Sequence, residues 1–157
     1  RLALGRMDGP TVLALTRQAL AVFAKHDARW RETIQRGAYV ARDCGGAPET
    51  VIVATGSEVG VALAAADLLA DRKVRVVSMI SRERFVAQDR AFRETLVPPG
   101  ARRVVIEAGV SFGWASPFDD GTLVVSIDRF GESGPWQKLA ERFGITAAAL
   151  AEKIRSR

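Results

Sequence analysis

The chain reads as an α/β protein: a three-layer domain with a mostly parallel (mixed) β-sheet, preceded by a terminal strand of a separate α/β domain. Three observations predict this. The stretch TVIVAT, residues 50–55, is a continuous β-branched run too short for a helix, the mark of a strand buried on both faces. It is followed by GSEVGVALAAADLLA, whose Val59, Ala62, Leu63, Ala66 and Leu69 recur at helical spacing and turn one face inward. The next apolar run, KVRVVSM, is again strand-like, and strand, helix, strand in that order is the unit from which parallel α/β sheets are built.

Taken from the start, PTVLAL at residues 10–15 follows Gly9-Pro10 and is too short for a helix, so it reads as a buried strand. A strand is not a stable unit alone and must pair with a sheet, here or elsewhere. AKHDARWRETIQR, residues 24–36, is polar and weakly periodic, the composition of a linker or of an exposed helix between domains. Gly37 opens AYVARD, read as an edge strand, and CGGAP follows as a turn cluster. Thr55 and Glu58 have the spacing of a capping box at the start of the first long helix.

SRERFVAQDRAFRETLV predicts one helix or two short ones, stopped by Pro98-Pro99. RRVVIEA is a further strand ending at Glu107, GVSFGWASPFDDG is loop-like, and TLVVSIDRF is another strand. SGPWQKLAERFG reads as a helix with Pro135 in its first turn and Gly144 just past its end. ITAAALAEKIRS is the last helix, with Thr146 as N-cap and Ile145 placed to pack on Leu150. The expected organisation is residues 1–23 as the end of one domain, 24–36 as a linker and 37–157 as an α/β domain.

The composition narrows function by exclusion. The 157 residues are 48% hydrophobic and 26% charged, as in ordinary globular proteins, and no apolar run approaches the ~20 residues that span a bilayer. The formal net charge is +5. The arginines are scattered and interleaved with acids and the aromatics are few, so no nucleic-acid partner is expected. Cys44 is the single cysteine, which rules out an intrachain disulfide or a multi-thiol metal site and points to a reducing, cytoplasmic compartment. His26 is the single histidine and lies in the linker.

Few residues invite chemistry. TGSEVG offers a helix start to an anion, but it lacks GxGxxG spacing and a GK[ST] ending, and Glu58 repels an anion there; Gly56 reads as a turn residue. Glu107 stands at the carboxyl end of a strand, where open α/β sheets carry their sites, and reads as a carboxylate that orients the loop after it. Ser111 has no histidine nearby to serve as its base, so a triad is not expected. Phe112 and Trp114 read as packing or interface aromatics. Asp128, Arg129, Glu132 and Ser133 include a carboxylate pair able to do acid–base work, although Asp128 beside Arg129 at a strand end is more simply structural. No spacing suggests a metal. Arg17 follows the expected first strand; its planar fork of donors suits a phosphate, a role that spacing alone leaves open.

LTRQAL, GAYVARD, VIVATGSEVGVAL, VRVVSM, FVAQDRAFRETLVPP, RRVVIEAGVSFGW, SIDRFGESGP and LAERFGITAAALAEKI occur in this order, and together they resemble the C-terminal part of transketolases over nearly the whole chain. The resemblance implies that residues 1–23 are the C-terminal remnant of the pyrimidine-binding domain and 37–157 the transketolase C-terminal domain, a reading that the missing initiator methionine fits. It implies an enzyme transferring a two-carbon ketol unit between sugar phosphates, with thiamine diphosphate and Mg²⁺ (or Ca²⁺) bound by regions absent from this chain, a homodimeric parent and no membrane partner. It implies one site residue, Arg17, in the TRQ turn, as an anchor for the sugar phosphate, and no catalytic, cofactor-binding or metal-binding residue. The fragment is then expected to be inactive alone. Ile80 where proline is usual, Ala19 and Ala21 around RQ, and ASPFDDGT after Trp114 depart from the family's pattern. The alternatives are the C-terminal domain of another thiamine-diphosphate enzyme, such as a deoxyxylulose-phosphate synthase or a two-oxo-acid dehydrogenase beta subunit, which FGESGP and TRQ argue against, or a non-catalytic α/β interaction and dimerisation module.

Overall fold

A computed structural model describes residues 3–25, 27–114, 117–118 and 121–156. A short helix α1 (Trp30–Thr33) runs into a 3₁₀ turn (Ile34–Arg36) and then strand β1 (Ala38–Arg42). There follow β2 (Thr50–Ala54), α2 (Glu58–Leu68), β3 (Val74–Met79), α3 (Arg82–Val86), α4 (Arg90–Leu96), β4 (Arg102–Ile106), β5 (Leu123–Val125), α5 (Trp136–Phe143) and α6 (Ala147–Arg155). The five strands form one mixed sheet in the order β1-β3-β2-β4-β5. β1 runs antiparallel to β3, and the other three pairings are parallel.

The alternation of side chains along each strand divides the core in two. Ile52 and Ala54 of β2, Val76 of β3 and Val104 and Ile106 of β4 face a layer made by α2 and α6, with Leu69, Leu150 and Ile154 packed on them. Val51, Val53, Val77 and Val105 face the other layer, where Phe85 of α3, Phe92 and Leu96 of α4, and Trp114 close the core. All five residues of β2 are buried, which explains why its sequence is apolar throughout instead of alternating.

The helices after β3 are two, because Ser81 and Asp89 each cap one: Ser81 accepts the Arg84 N–H and Asp89 the Phe92 N–H. Gly144 ends α5 in the left-handed conformation at φ 71°, and Thr146 caps α6 by accepting the Ala149 N–H. Ile145 and Leu150 lie buried in the same cluster, consistent with Ile145 packing on Leu150.

Three expectations are corrected. Residues 10–15 form no strand: Val12, Leu13 and Leu15 are 89%, 68% and 83% exposed and pair with no described strand. The sheet ends at β1 on one side and β5 on the other, and an apolar run without a partner gains nothing from extended backbone. The strand expected over 122–130 contracts to Leu123–Val125. The capping box does not form either. Ser57 occupies the N-cap position without a side-chain cap bond, and the Thr55 hydroxyl is bonded elsewhere.

Candidate functional site

The parallel strands β2, β4 and β5 deliver Thr55, Glu107 and Ser126 to one edge of the sheet, its carboxyl edge. Thr55 Oγ1 donates to Glu107 Oε2 at 2.9 Å, and Glu107 Oε1 accepts the Gly109 N–H at 3.1 Å. Glu107 thus orients the loop that follows it, as its sequence position predicts. The next turn is fixed by Asp128, whose Oδ1 accepts from Ser111 N (2.7 Å) and Ser111 Oγ (2.9 Å), and whose Oδ2 accepts from Ser126 Oγ (2.6 Å). The Ser126 hydroxyl first, and then Ser111, hold Asp128 below the usual carboxylate range. Ser111 therefore spends its hydroxyl on a carboxylate and not on a base. His26 lies outside the described residues, as do Asp119 and Asp120 of the FDDG turn.

Glu132 accepts from both Arg129 and Arg142, the latter at 3.1 Å, so it is not paired with Asp128. The possible acid–base couple is thereby divided, Asp128 going to serines and Glu132 to arginines. Ser133 is exposed. Trp114 is buried, stacks on Phe118 at 6.5 Å between centroids and lies 5.5 Å from the Arg82 guanidinium, whereas Phe112 is exposed. The two aromatics expected to pack or to form an interface therefore separate, Trp114 to the core and Phe112 to the surface. Cys44 is half-buried, its thiol 3.5 Å from the Gly46 carbonyl.

Glu58, which sequence read as a cap, is instead buried at the first turn of α2. Burial raises its pKa, the Ser57 hydroxyl bond opposes this, and Glu107 adds to the rise by repulsion. It lines a pocket of about 240 Å³ with Gln18, Ile127, Trp136, Leu139 and Phe143. Nothing in the spacing of TGSEVG distinguishes a buried glutamate from a solvated one; the signal would have been that the facing loops carry apolar residues. Arg17 sits next to Gln18 in an exposed bend, where Thr16 Oγ1 accepts the Gln18 N–H at 3.2 Å. Its guanidinium makes no hydrogen bond or ion pair with the described residues. Among those residues no three His, Cys, Asp or Glu side chains converge into a metal site, and no helix is long and apolar enough to cross a membrane.

The family model of the transketolase-like TK C-terminal domain matches residues 37–146. The chain belongs to that family. The chromosomal transketolase of Cupriavidus necator is 48% identical over 155 residues, which is 98% of this chain and 23% of that protein. A transketolase from Leishmania mexicana superposes with a TM-score of 0.73 at 39% identity, covering 80% of this chain and 18% of that one. The Pichia stipitis transketolase complexed with sedoheptulose 7-phosphate superposes with a TM-score of 0.69 at 28% identity, covering 78% and 18%. This transketolase C-terminal domain sequence thus spans about a quarter of the length of the curated relatives it matches.

Proposed function

We propose that the chain is the C-terminal part of a transketolase, an enzyme that moves a two-carbon ketol unit between sugar phosphates, and that Arg17 grips the phosphate of the sugar. The observation that carries this reading is the 48% identity to a transketolase over 98% of the chain, including the segment around Arg17. On this reading residues 1–23 belong to the pyrimidine-binding domain, 24–36 link it to the domain at 37–157, and the parent is a cytoplasmic homodimer. The relative solved with a sugar phosphate supports the substrate class.

Thiamine diphosphate, held through Mg²⁺ (or Ca²⁺), supplies the carbanion chemistry of such an enzyme when bound. The described residues of this chain do not fit such a site: Glu107, Asp128 and Glu132 are bound to hydroxyls, backbone and arginines, and none converge on a metal. The cofactor is assigned to parts of the enzyme outside this chain. What Arg17 contributes is positioning. A guanidinium offers parallel N–H donors to two phosphate oxygens, and fixing the anionic end of a sugar restricts where its reacting end can lie.

The test is a chimera in which this chain replaces the matching segment of the Cupriavidus necator transketolase. Ketol transfer is expected to persist. Arg17→Ala in the chimera is expected to lower kcat/KM for phosphorylated donors about ten- to a hundredfold, the loss of roughly 1.5–3 kcal/mol of charge-assisted bonding, while sparing unphosphorylated donors. Equal losses on both donor types would remove Arg17 from the phosphate site.

A further inference from the structure

From residue 10 to residue 22 every residue is exposed except Gln18, which is half-buried. Gln18 lines the pocket of about 240 Å³ at the carboxyl edge of the sheet, with Glu58 at the start of α2, Ala108 and Ile127 in the loops after β4 and β5, and Trp136 and Leu139 of α5. Further along, Phe23 packs on the core at the face of α2 and α6, to which Ile127 and Ile145 of the pocket also belong. The segment therefore meets the α/β domain at Gln18 and at Phe23, on one face, while Leu20 and Val22 between them stay exposed.

Arg17 is the neighbour of the first of these contacts. The bend that carries it is tied by the Gln18 N–H, which donates to Thr16 Oγ1 at 3.2 Å. Consecutive Cα atoms are about 3.8 Å apart, so a Gln18 lodged in the domain holds the backbone of Arg17 one peptide unit from a fixed point. The Arg17 side chain remains exposed and able to reach outward.

We infer that Gln18 is a positioning residue: by seating in this pocket it lets the domain at 37–157 aim Arg17 at the phosphate of the sugar. The inference rests on the reading of Arg17 as the phosphate anchor and gives the C-terminal domain a task in substrate binding. An arginine on a loose segment loses backbone and side-chain freedom when it grips a ligand, and a bend held beforehand reduces that loss. The pocket suits a glutamine. Its lining is mainly apolar, with Ser57, Glu58 and Glu132 among it, and a carboxamide on an apolar stem enters without the cost of withdrawing a charge from water.

The experiment uses the chimera in which this chain completes the Cupriavidus necator transketolase. Gln18→Ala removes the seated side chain. Ala140→Met narrows the pocket from α5, where Ala140 lines it. Each is expected to raise KM for phosphorylated donors about three- to tenfold with kcat within about twofold, to leave unphosphorylated donors at parental values, and to add nothing once Arg17→Ala is present. Gln18→Met keeps the length of the side chain and is expected to hold KM within about twofold of the parent. In the chain itself, Gln18→Ala is expected to shift the indole N–H resonance of Trp136 and not that of Trp114, which lies in the other core. That readout needs no activity and stands even if Ala140→Met does not fold. Parental KM in Gln18→Ala and Ala140→Met, while Arg17→Ala still separates the two donor types, overturns the positioning role and leaves Arg17 as the anchor. An Arg17→Ala that does not separate them removes the anchor, and the positioning role with it. Equal losses on both donor types in Gln18→Ala, a Gln18→Met as impaired as Gln18→Ala, or an unmoved Trp136 resonance overturns the inference as well.

Discussion

The Thr55 hydroxyl donates to the Glu107 carboxylate at 2.9 Å, tying together the carboxyl ends of β2 and β4, two strands whose residues 54 and 106 are in register. The bond keeps the second carboxylate oxygen free to accept the Gly109 N–H, which sets the direction of the loop leaving β4. Thr55→Val keeps the shape and removes the donor. A hydrogen bond to a charged group contributes about 1.5–3 kcal/mol, less where water can replace it, so a loss of about 1–2 kcal/mol is expected in urea unfolding. In a double-mutant cycle with Glu107→Gln the two substitutions should be non-additive. Additive effects would show that the pair is not coupled.

Glu58 gives the molecule a pH dependence of unusual sign for a carboxylate. Burial raises its folded-state pKa above the ordinary glutamate value, with Glu107 adding to the effect and Ser57 opposing it. Just above the ordinary value, the folded chain therefore keeps a proton that the unfolded chain has lost. Stability contributed by this group then falls as pH rises through that window, and returns as pH falls. Asp128 and Asp89 have lowered values and act in the opposite direction, losing stability as pH falls. Comparison of the unaltered chain with Glu58→Gln isolates the glutamate. The variant should unfold at higher urea concentration than the parent at neutral pH and at about the same concentration near pH 4. A constant difference at both pH values would show that Glu58 does not titrate abnormally.

The fold was legible where burial leaves a simple mark. TVIVAT announces a central strand because every one of its residues in β2 is buried, and Thr146 announces a helix start because its cap needs only the next three residues. The errors share a cause, which is that a partner distant in sequence decides the outcome. Spacing alone gives Thr55 a local capping box, but its hydroxyl is taken by a carboxylate 52 residues away. PTVLAL has the composition of a buried strand, yet composition does not say whether a sheet is there to receive it. At the candidate site, the place of Glu107 is legible because the carboxyl end of a parallel strand is a defined location. The burial of Glu58 is not legible in the sequence because it depends on elements brought together only by folding.

Gly37 is the most tightly enclosed glycine among the described residues. Its φ is 103°, and a Cβ built there would stand 2.5 Å from both the Phe85 N and the Ser81 carbonyl oxygen. Its own carbonyl accepts the N–H groups of Ile80 and Ser81, so it joins the start of β1 to the end of β3. Gly37→Ala therefore meets a left-handed backbone and a clash with main-chain atoms of α3 and of its N-cap residue Ser81. Strain at a special φ combined with a displaced helix places the cost at about 3–5 kcal/mol. At roughly 2–4 °C of Tm per kcal/mol for a chain of this size, thermal unfolding should drop by about 10 °C or more. Near-parental melting would mean that the β1 entry can relax freely.

The N-terminal segment should behave as a separate layer of stability. Val12, Leu15 and Val22 are 89%, 83% and 97% exposed, no strand pairing protects residues 10–25, and Arg17 lies in an exposed bend. The sheet and the fully buried residues of its two cores begin at Ala38, and of residues 10–25 only the partly buried Phe23 is a hydrophobic side chain packed against them. Proteolysis under native conditions samples local openings, which require little free energy where few buried contacts are broken. Brief trypsin treatment is therefore expected to cut first after Arg17, leaving a product that still contains all five strands and melts within a few degrees of the intact chain. The same cut should slow when the remainder of a transketolase is supplied in trans, since the apolar side chains at 12, 13 and 15 would then have a sheet to join. Cleavage beginning inside residues 38–106, or a cleaved product without a cooperative transition, would show that the segment and the sheet unfold as one unit.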